Sequence, residues 1–461
     1  LATPHSIGSE QTTRLLNDAA ARATRYLASL DTRPVAPNAE AVARLGQLDE
    51  AMPSRSSDPH VVLARLDAMV TDATMAMAGP RFFGFVIGGA LPVSVATNWL
   101  STAWDQNTGL HRITPGTAIV ERVALRWLCE LFRLPADTAG AFVTGATVAN
   151  LVGLAAGRHR VLANAGWDVE ANGLFGAPPI TVIVGAEVHP TVLKALGLLG
   201  LGRDRVVRVA VDGQGRMIPD AMPSINGPTI VVAQAGNLNT GAFDPLEEII
   251  AKAHAGGAWV HVDGAFGLWA GVVPSLAHHV AGVAHADSMA TDAHKWLNVP
   301  YDSGIALVRD AAALRAAMAV TAAYLPTEGI DRNPSDYTPE LSRRARGIDV
   351  WAVLATLGRD GLAEMIGGTC RHARRFAEGL ASAGFEILNE VVLNQVLVSF
   401  GTPEQTHRVI EAVQREGTCW AGPTVWQGKT AMRISVCSWA TTAADVEQSL
   451  EAMIRVAREV R

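Results

Sequence analysis

Short β-branched runs alternate with helical stretches through the middle of this sequence. The runs are ITVIVGAE (180–187), RVVRVAVD (205–212), TIVVAQAGN (229–237), AWVHVDGAFG (258–267), DSMATDAHK (287–295) and SGIALVRD (303–310), with helix-like HPTVLKALGLL and DPLEEIIAKAHAG among the pieces between them. Runs that are apolar on both faces and separated by helices predict a mainly parallel sheet covered on both sides, an α/β domain. Ligands of such sheets bind at the carboxyl ends of the strands, so the residues that end each run deserve the closest reading. Before this region Leu15, Leu16, Ala19, Tyr26 and Leu27 share one helical face, a Pro-rich break follows at 33–37, and apolar periodicity returns from Val61 to Met77. The helical preface, residues 1–85, is expected to pack on a partner subunit or to cap its own chain. After about 345 the spacing is again helical (Val350 to Leu362, His372 to Ala383), followed by strand-like EILNEVVLNQVLVSF, a helix and AMRISVCSW. Residues 346–461 therefore predict a small C-terminal α+β domain beside a large domain at 86–345.

With 461 residues, 49% hydrophobic and 18% charged, the chain has ample material for a large core, and a disordered chain is excluded. A net charge of −6 offers no basic footprint for nucleic acid or an anionic membrane surface. No apolar run reaches the roughly 18 residues of a membrane span. The start, LATPHSIGSEQTTRLL, lacks the charged-then-apolar pattern of a signal peptide, although a leader preceding Leu1 stays open. Cys129, Cys370, Cys419 and Cys437 form no CxxC pair, so no metal site and no disulfide framework is expected, and a cytoplasmic location fits. Only four of the 38 basic residues are lysines: Lys194, Lys252, Lys295 and Lys429.

Lys194 and Lys252 lie in helical stretches and Lys429 in a turn-like one, all readable as solvated. Lys295 ends a strand, between His294 and Trp296. Burial there would disfavour the ammonium and leave a nucleophilic amine, as a Schiff-base lysine requires; a snorkelling surface lysine is the plainer reading. Asp263 ends another strand, in HVDGAF, where a carboxylate needs a cationic partner. Together the two raise pyridoxal phosphate (PLP), with its aldehyde on Lys295 and its ring nitrogen on Asp263; a structural ion pair in a non-enzymatic α/β protein is the alternative. FVTGATVAN (142–150) places small and hydroxylated residues at a helix start, where backbone N–H groups take anions. His189, at a further strand end, could stack on a planar cofactor or cap its helix. Gln234, Asn237 and Asn239 are polar groups at the same sheet edge, also explained by turn formation.

DAHKW after DSMAT, HVDGAF, the AEVHP histidine, AQAGNLNTGAFDP and the late MRISVCSW, in this order, resemble the PLP-dependent group II amino-acid decarboxylases, among them the aromatic-L-amino-acid, glutamate and tyrosine decarboxylases. The resemblance runs from Gly79-Pro80-Arg81-Phe82-Phe83 to about Ala444. It implies PLP-dependent transferase fold type I, the aspartate aminotransferase-like fold, and a homodimer with a shared active site. It further implies that Lys295 carries the cofactor, Asp263 pairs with the pyridine nitrogen, and Ala265 and His189 flank the ring. Gly145, Ala146 and Thr147 match the phosphate-binding turn, His294 a phosphate contact, and Gln234 and Ser288 further cofactor contacts. Arg433 matches an arginine near the substrate carboxylate. Tyr337, in the lid-like segment TEGIDRNPSDYTPELSRR, matches a loop tyrosine that protonates Cα. Asp292 stands where the family more often has Asn; a carboxylate beside a phosphate would be repelled, so it is left out of the expected site.

Phe85, with Ile87, is expected to form an apolar wall that Trp104 joins, which favours an aromatic or apolar substrate over glutamate; core packing accounts for them equally well. The expected reaction is decarboxylation of an L-amino acid to the amine and CO₂. Carbon–carbon lyase, aldolase or oxidative deaminase chemistry on the same fold is the alternative, because the cofactor constellation is shared.

Overall fold

A computed structural model of the chain describes residues 8–320 and 332–460. All six runs read as strands above are strands: β2 (Thr181–Gly185), β3 (Val207–Val209), β4 (Thr229–Gln234), β5 (Trp259–Asp263), β6 (Ser288–Asp292) and β7 (Gly304–Val308). They join β1 (Ala139–Val143) in a seven-stranded sheet of order β1-β7-β6-β5-β4-β2-β3. Only β7 runs against its neighbours, pairing antiparallel with both β1 and β6. The sheet is thus mainly parallel, and apolar side chains fill both of its faces, one around Phe142, Val231, Val260, Trp269 and Met289, the other around Val143, Val184, Val232 and Ala306.

The one long helix, Gly347–Ser382, departs from helical geometry at Gly358 (φ 59°) and leads to a second sheet. Its antiparallel strands are β8 (Glu386–Ile387), β9 (Gln395–Ser399), β10 (Gly422–Trp426) and β11 (Lys429–Ser435), in the order β10-β11-β9-β8. The helices Pro403–Glu416 and Ala443–Glu459, both started by capping boxes, pack on this sheet around Phe376, Val398, Val413 and Ile434. The fold is α/β, as expected. Among the described residues no helix is long and apolar enough to cross a membrane.

Candidate active site

Parallel strands β4, β5 and β6 end side by side, and their last residues, Gln234, Asp263 and Asp292, meet the start of the helix Ala146–Asn164 and the cap of the helix Pro190–Leu198. There they enclose a cleft of about 330 Å³ lined by Thr144, Gly145, Ala146, Thr147, His189, Gln234, Asp263, Ala265, Asp292, His294 and Lys295 among others. Nine residues expected from the sequence thus converge: Lys295, Asp263, Ala265, His189, Gly145, Ala146, Thr147, His294 and Gln234.

The floor is held rigidly. Asn298, in left-handed conformation (φ 55°), accepts from Gly89 N–H (2.7 Å) and Trp439 N–H (3.1 Å) and donates to the carbonyls of Trp296 (2.9 Å) and Cys437 (3.1 Å). It thereby ties two distant segments, at Gly89 and at Cys437–Trp439, to the turn that follows Lys295. A Cβ on Gly88 would lie 1.8 Å from the Lys295 carbonyl oxygen, so the strand of chain at 84–90 runs directly over that turn and admits no side chain there. Trp296 is fully buried and donates to Thr369 Oγ1 (2.9 Å).

Lys295 Nζ lies 2.8 Å from Asp292 Oδ2. Asp263 is 3% exposed; its Oδ1 accepts from Ala265 N–H (3.2 Å) and its Oδ2 from Asn150 Nδ2 (3.3 Å). Burial pushes the Asp263 carboxyl up, while His189, Lys295 and the Ala265 amide pull it back. His189 caps its helix, with Nδ1 accepting from Thr191 N–H (3.3 Å), and burial pushes its imidazole down towards the neutral form. Burial does the same to His294, whose Nδ1 accepts from Ser303 N–H (3.1 Å) and whose ring stacks on Tyr301.

Behind Asp263 runs a chain of buried polar groups that the sequence reading did not find. Trp259 Nε1 donates to Ser288 Oγ (2.9 Å), Ser288 Oγ meets His261 Nδ1 (2.8 Å), His261 Nε2 meets Asn150 Oδ1 (2.8 Å), and Asn150 Nδ2 reaches Asp263. The Asn150 oxygen can only accept, so His261 donates from Nε2; neutral imidazole then accepts at Nδ1 from the Ser288 hydroxyl. Every donor in the chain points towards the Asp263 carboxylate. Burial pushes His261 down to about 3, so neutral imidazole is its state. Trp259, His261 and Asp263 alternate along one strand, and two polar residues at i and i+2 in an otherwise apolar run are the signal that could have exposed the chain.

Five expectations are corrected. Ser288 does not line the cleft: it opens β6, four residues before Asp292, and serves His261 and Trp259. Tyr337 is not at the cleft either. It closes the short 3₁₀ turn Pro334–Tyr337, packs against the core beside Met318, and lies under the Arg332 guanidinium (4.1 Å), because a polar-tipped ring at that edge gains more from burial and a cation above it. The lid residues 327–331 lie outside the described residues. Phe85 and Trp104 are 59% and 49% exposed; Phe85 stacks on Trp420 and Trp104 ends the helix Pro92–Trp104, so neither walls the cleft of its own chain. Asp292, left out by the repulsion argument, lines the cleft, since Lys295 and a helix N-terminus neutralise it. Arg433 is not among the lining residues, but it is buried near enough for its charge to lower the His189 imidazole. Its Nε is buried without a hydrogen-bond partner and burial pushes the guanidinium down to about 10.

Residues 42–401 match the family model described as the pyridoxal-dependent decarboxylase conserved domain. The chain belongs to the pyridoxal-dependent decarboxylases. It is similar to L-2,4-diaminobutyrate decarboxylase of Rhizobium meliloti, 30% identical over 79% of this chain and 74% of that protein, and to tryptophan decarboxylase 1 of Oryza sativa subsp. japonica, 26% identical over 90% and 87%. Its fold is that of Oryza sativa TDC, solved with PLP and tryptamine (TM-score 0.90, 24% identity, 100% of this chain and 99% of that one), and of mouse CSAD (TM-score 0.90, 22% identity, 97% and 99%). This is PLP-dependent fold type I, and the protein is a PLP-dependent amino-acid decarboxylase. The decarboxylase's cleft suits PLP: an amine for the aldehyde, a buried carboxylate whose second side is braced by Asn150, small Ala265 and the flat His189 ring among its lining, and a helix start for the phosphate.

Proposed function

We propose that the decarboxylase acts on an L-amino acid with an aromatic or apolar side chain, as a homodimer, with Lys295, Asp263, His189 and Arg433 in the central roles. The observation that carries the substrate reading is the scarcity of positive charge. Among the described residues Lys295 is the only Lys or Arg lining the cleft, the two lining histidines are pushed towards neutrality, and Leu238 and Phe266 supply apolar surface. An acidic side chain would find no second cation there, and burying an unpaired charge is costly.

Bound PLP supplies the electron sink for the pair left at Cα when CO₂ departs. Asp263, braced by Asn150 and the Ala265 amide, holds a proton at the ring nitrogen. Lys295 would provide the amine that holds the cofactor through its aldehyde. Arg433, with its unpartnered Nε, takes the substrate carboxylate and sets the angle of the bond to be broken. His189 flanks the ring and assists protonation at Cα. Dimerisation is supported by the exposed apolar side chains on and beside the helix Pro92–Trp104, Trp99, Leu100, Trp104, Phe85 and Trp439, and by the helix Ser9–Ser29, none of whose residues is buried. Phe85 and Trp104 would then meet substrate only across the interface.

A panel of L-Trp, L-Phe, L-Tyr, L-Leu, L-Glu and L-2,4-diaminobutyrate, followed for CO₂, amine, aldehyde and ammonia, tests the reading. Amine and CO₂ from an aromatic or aliphatic member are expected. A preference for L-Glu or L-2,4-diaminobutyrate would overturn the substrate class, and aldehyde with ammonia in place of amine would overturn the product.

A further inference from the structure

Asp292 sits where an incoming anion would be held. Its Oδ1 accepts from Ala146 N–H (2.6 Å), the first amide of the helix Ala146–Asn164, and its Oδ2 pairs with Lys295 Nζ (2.8 Å). The residue is 2% exposed and its backbone is fixed at both ends: its N–H donates to Ala265 O (2.8 Å), and its carbonyl accepts from Trp269 Nε1 (3.1 Å). The helix cap, Gly145, contributes no side chain, and a Cβ there would come within 3.1 Å of His294 Cε1 and 3.4 Å of Asp292 Oδ1. A carboxylate therefore already occupies the positive end of the helix beside the turn Thr144–Thr147.

The other groups around Asp292 add no standing cation. His294 Nε2 is 3.6 Å from Oδ1, but burial holds this imidazole towards neutrality, and the same is true of His189 across β5. Asp263 adds negative charge, and Tyr301 is pushed up by burial and so stays an uncharged phenol. The first helical turn after Gly145, Ala146-Thr147-Val148-Ala149, carries no ionisable side chain. Among the described residues Lys295 is the sole counter-ion in hydrogen-bonding contact, and its amine is the group committed to the cofactor aldehyde. A phosphate monoester carries about −1.5 to −2 charges near neutral pH. Two anions at one helix end are relieved when one proton is shared between them as an O–H···O hydrogen bond.

We propose that Asp292 makes cofactor binding proton-coupled: the phosphate group is seated together with one proton taken from solvent and shared with the Asp292 carboxylate. This rests on the reading of Thr144–Thr147 as the phosphate seat. The enzyme then holds its cofactor by the phosphate less tightly as pH rises.

The test uses the full-length apoprotein titrated with PLP and, separately, with pyridoxal between pH 7 and 9, following the visible band of the bound aldehyde. Both compounds engage the same amine, so the ratio of their dissociation constants cancels that shared contribution and isolates the phosphate. In the wild type the preference for PLP should fall about tenfold per pH unit, the slope for uptake of one proton. In Asp292→Asn it should be level across this range and at least tenfold greater than wild type at pH 8.5. A wild-type ratio that does not change with pH, or an Asn variant with the same slope or a weaker preference, overturns the proposal; the wild-type arm needs no variant to fold. Gly145→Val separates the two readings. If it leaves the ratio unaltered, the phosphate is seated elsewhere and the seat itself is wrong. If it lowers the ratio while Asp292→Asn has no effect, the seat stands and only the role of Asp292 fails.

Discussion

His261 reaches neither cleft nor solvent, yet its protonation state decides whether Asn150 can face Asp263. Its folded pKa, about 3, lies below the ordinary value of 6.5, so the unfolded chain binds a proton between those limits that the folded chain refuses. The stability this contributes is present above pH 6.5 and is lost as pH falls towards 3, at about 1.4 kcal/mol per pH unit. Asp244, buried and pushed up to about 6, works oppositely between roughly pH 4 and 6, because there the folded form keeps a proton that the unfolded form has lost. Urea unfolding of wild type and His261→Gln from pH 5 to 7.5 should therefore show a gap that narrows as the pH falls; a gap of constant size would count against a neutral His261. Lys295→Ala should abolish the borohydride-fixable yellow colour of the holoenzyme, and persistence of that adduct would place the cofactor on another amine. Arg433→Ala should cost roughly tenfold to a hundredfold in kcat/KM, as expected for losing a charge-assisted hydrogen bond. At this scale the sequence yields the chemically unusual residues, Lys295 and Asp263. Asp292 escapes it because pairwise repulsion is easy to imagine from a sequence, whereas the amide that joins Lys295 in cancelling it comes from a helix start 146 residues away.

The helix Ala146–Asn164 owes its fit to two missing side chains. A Cβ on Gly153 would lie 2.7 Å from His261 Nδ1 and Cε1, and one on Gly157 2.8 Å from Trp259. By intrinsic propensity Gly→Ala inside a helix gains about 1 kcal/mol. Here Gly153→Ala should instead lower the thermal midpoint and weaken PLP binding, since His261 has no room to retreat; a raised midpoint would show that the slot is slack. A second element is pinned by charge. Glu121, 1% exposed, accepts from Arg343 (2.7 Å) and Arg332 (3.1 Å), and Arg343 also donates to the carbonyls of Thr108 and Phe142. This fastens the segment after residue 331 to β1. Glu121→Gln leaves the Arg343 guanidinium buried and unpaired, and should cost about 3–5 kcal/mol in denaturant unfolding. Strands were legible because each is a β-branched run bounded by turn residues. β1 was less so: AGAFV merges with the glycine turn that follows it, and only pairing with β7 distinguishes it.

At the scale of the molecule, two sheets and their helices account for the order of motifs, while the exposed aromatics on and beside Pro92–Trp104 remain an apolar face. Trp104→Asp should shift the sedimentation coefficient from dimer towards monomer and reduce activity together; a fully active monomer would exclude a shared site. That face was misread from the sequence as a pocket wall because hydrophobicity marks burial without saying against what. The reversed strand β7 carries a different consequence. It lies between β1 and β6, and its first residue, Gly304, packs so closely on Gly145 that a Cβ would approach that backbone to 2.4 Å. The glycine turn near residue 145 and the lysine near 295 are therefore neighbours only once residues 304–308 are in place between their strands. Such distant pairings form slowly. On the ribosome, then, every residue that would hold the cofactor is made well before there is anywhere to put it, and a chain arrested near residue 300 should emerge colourless in a cell full of PLP.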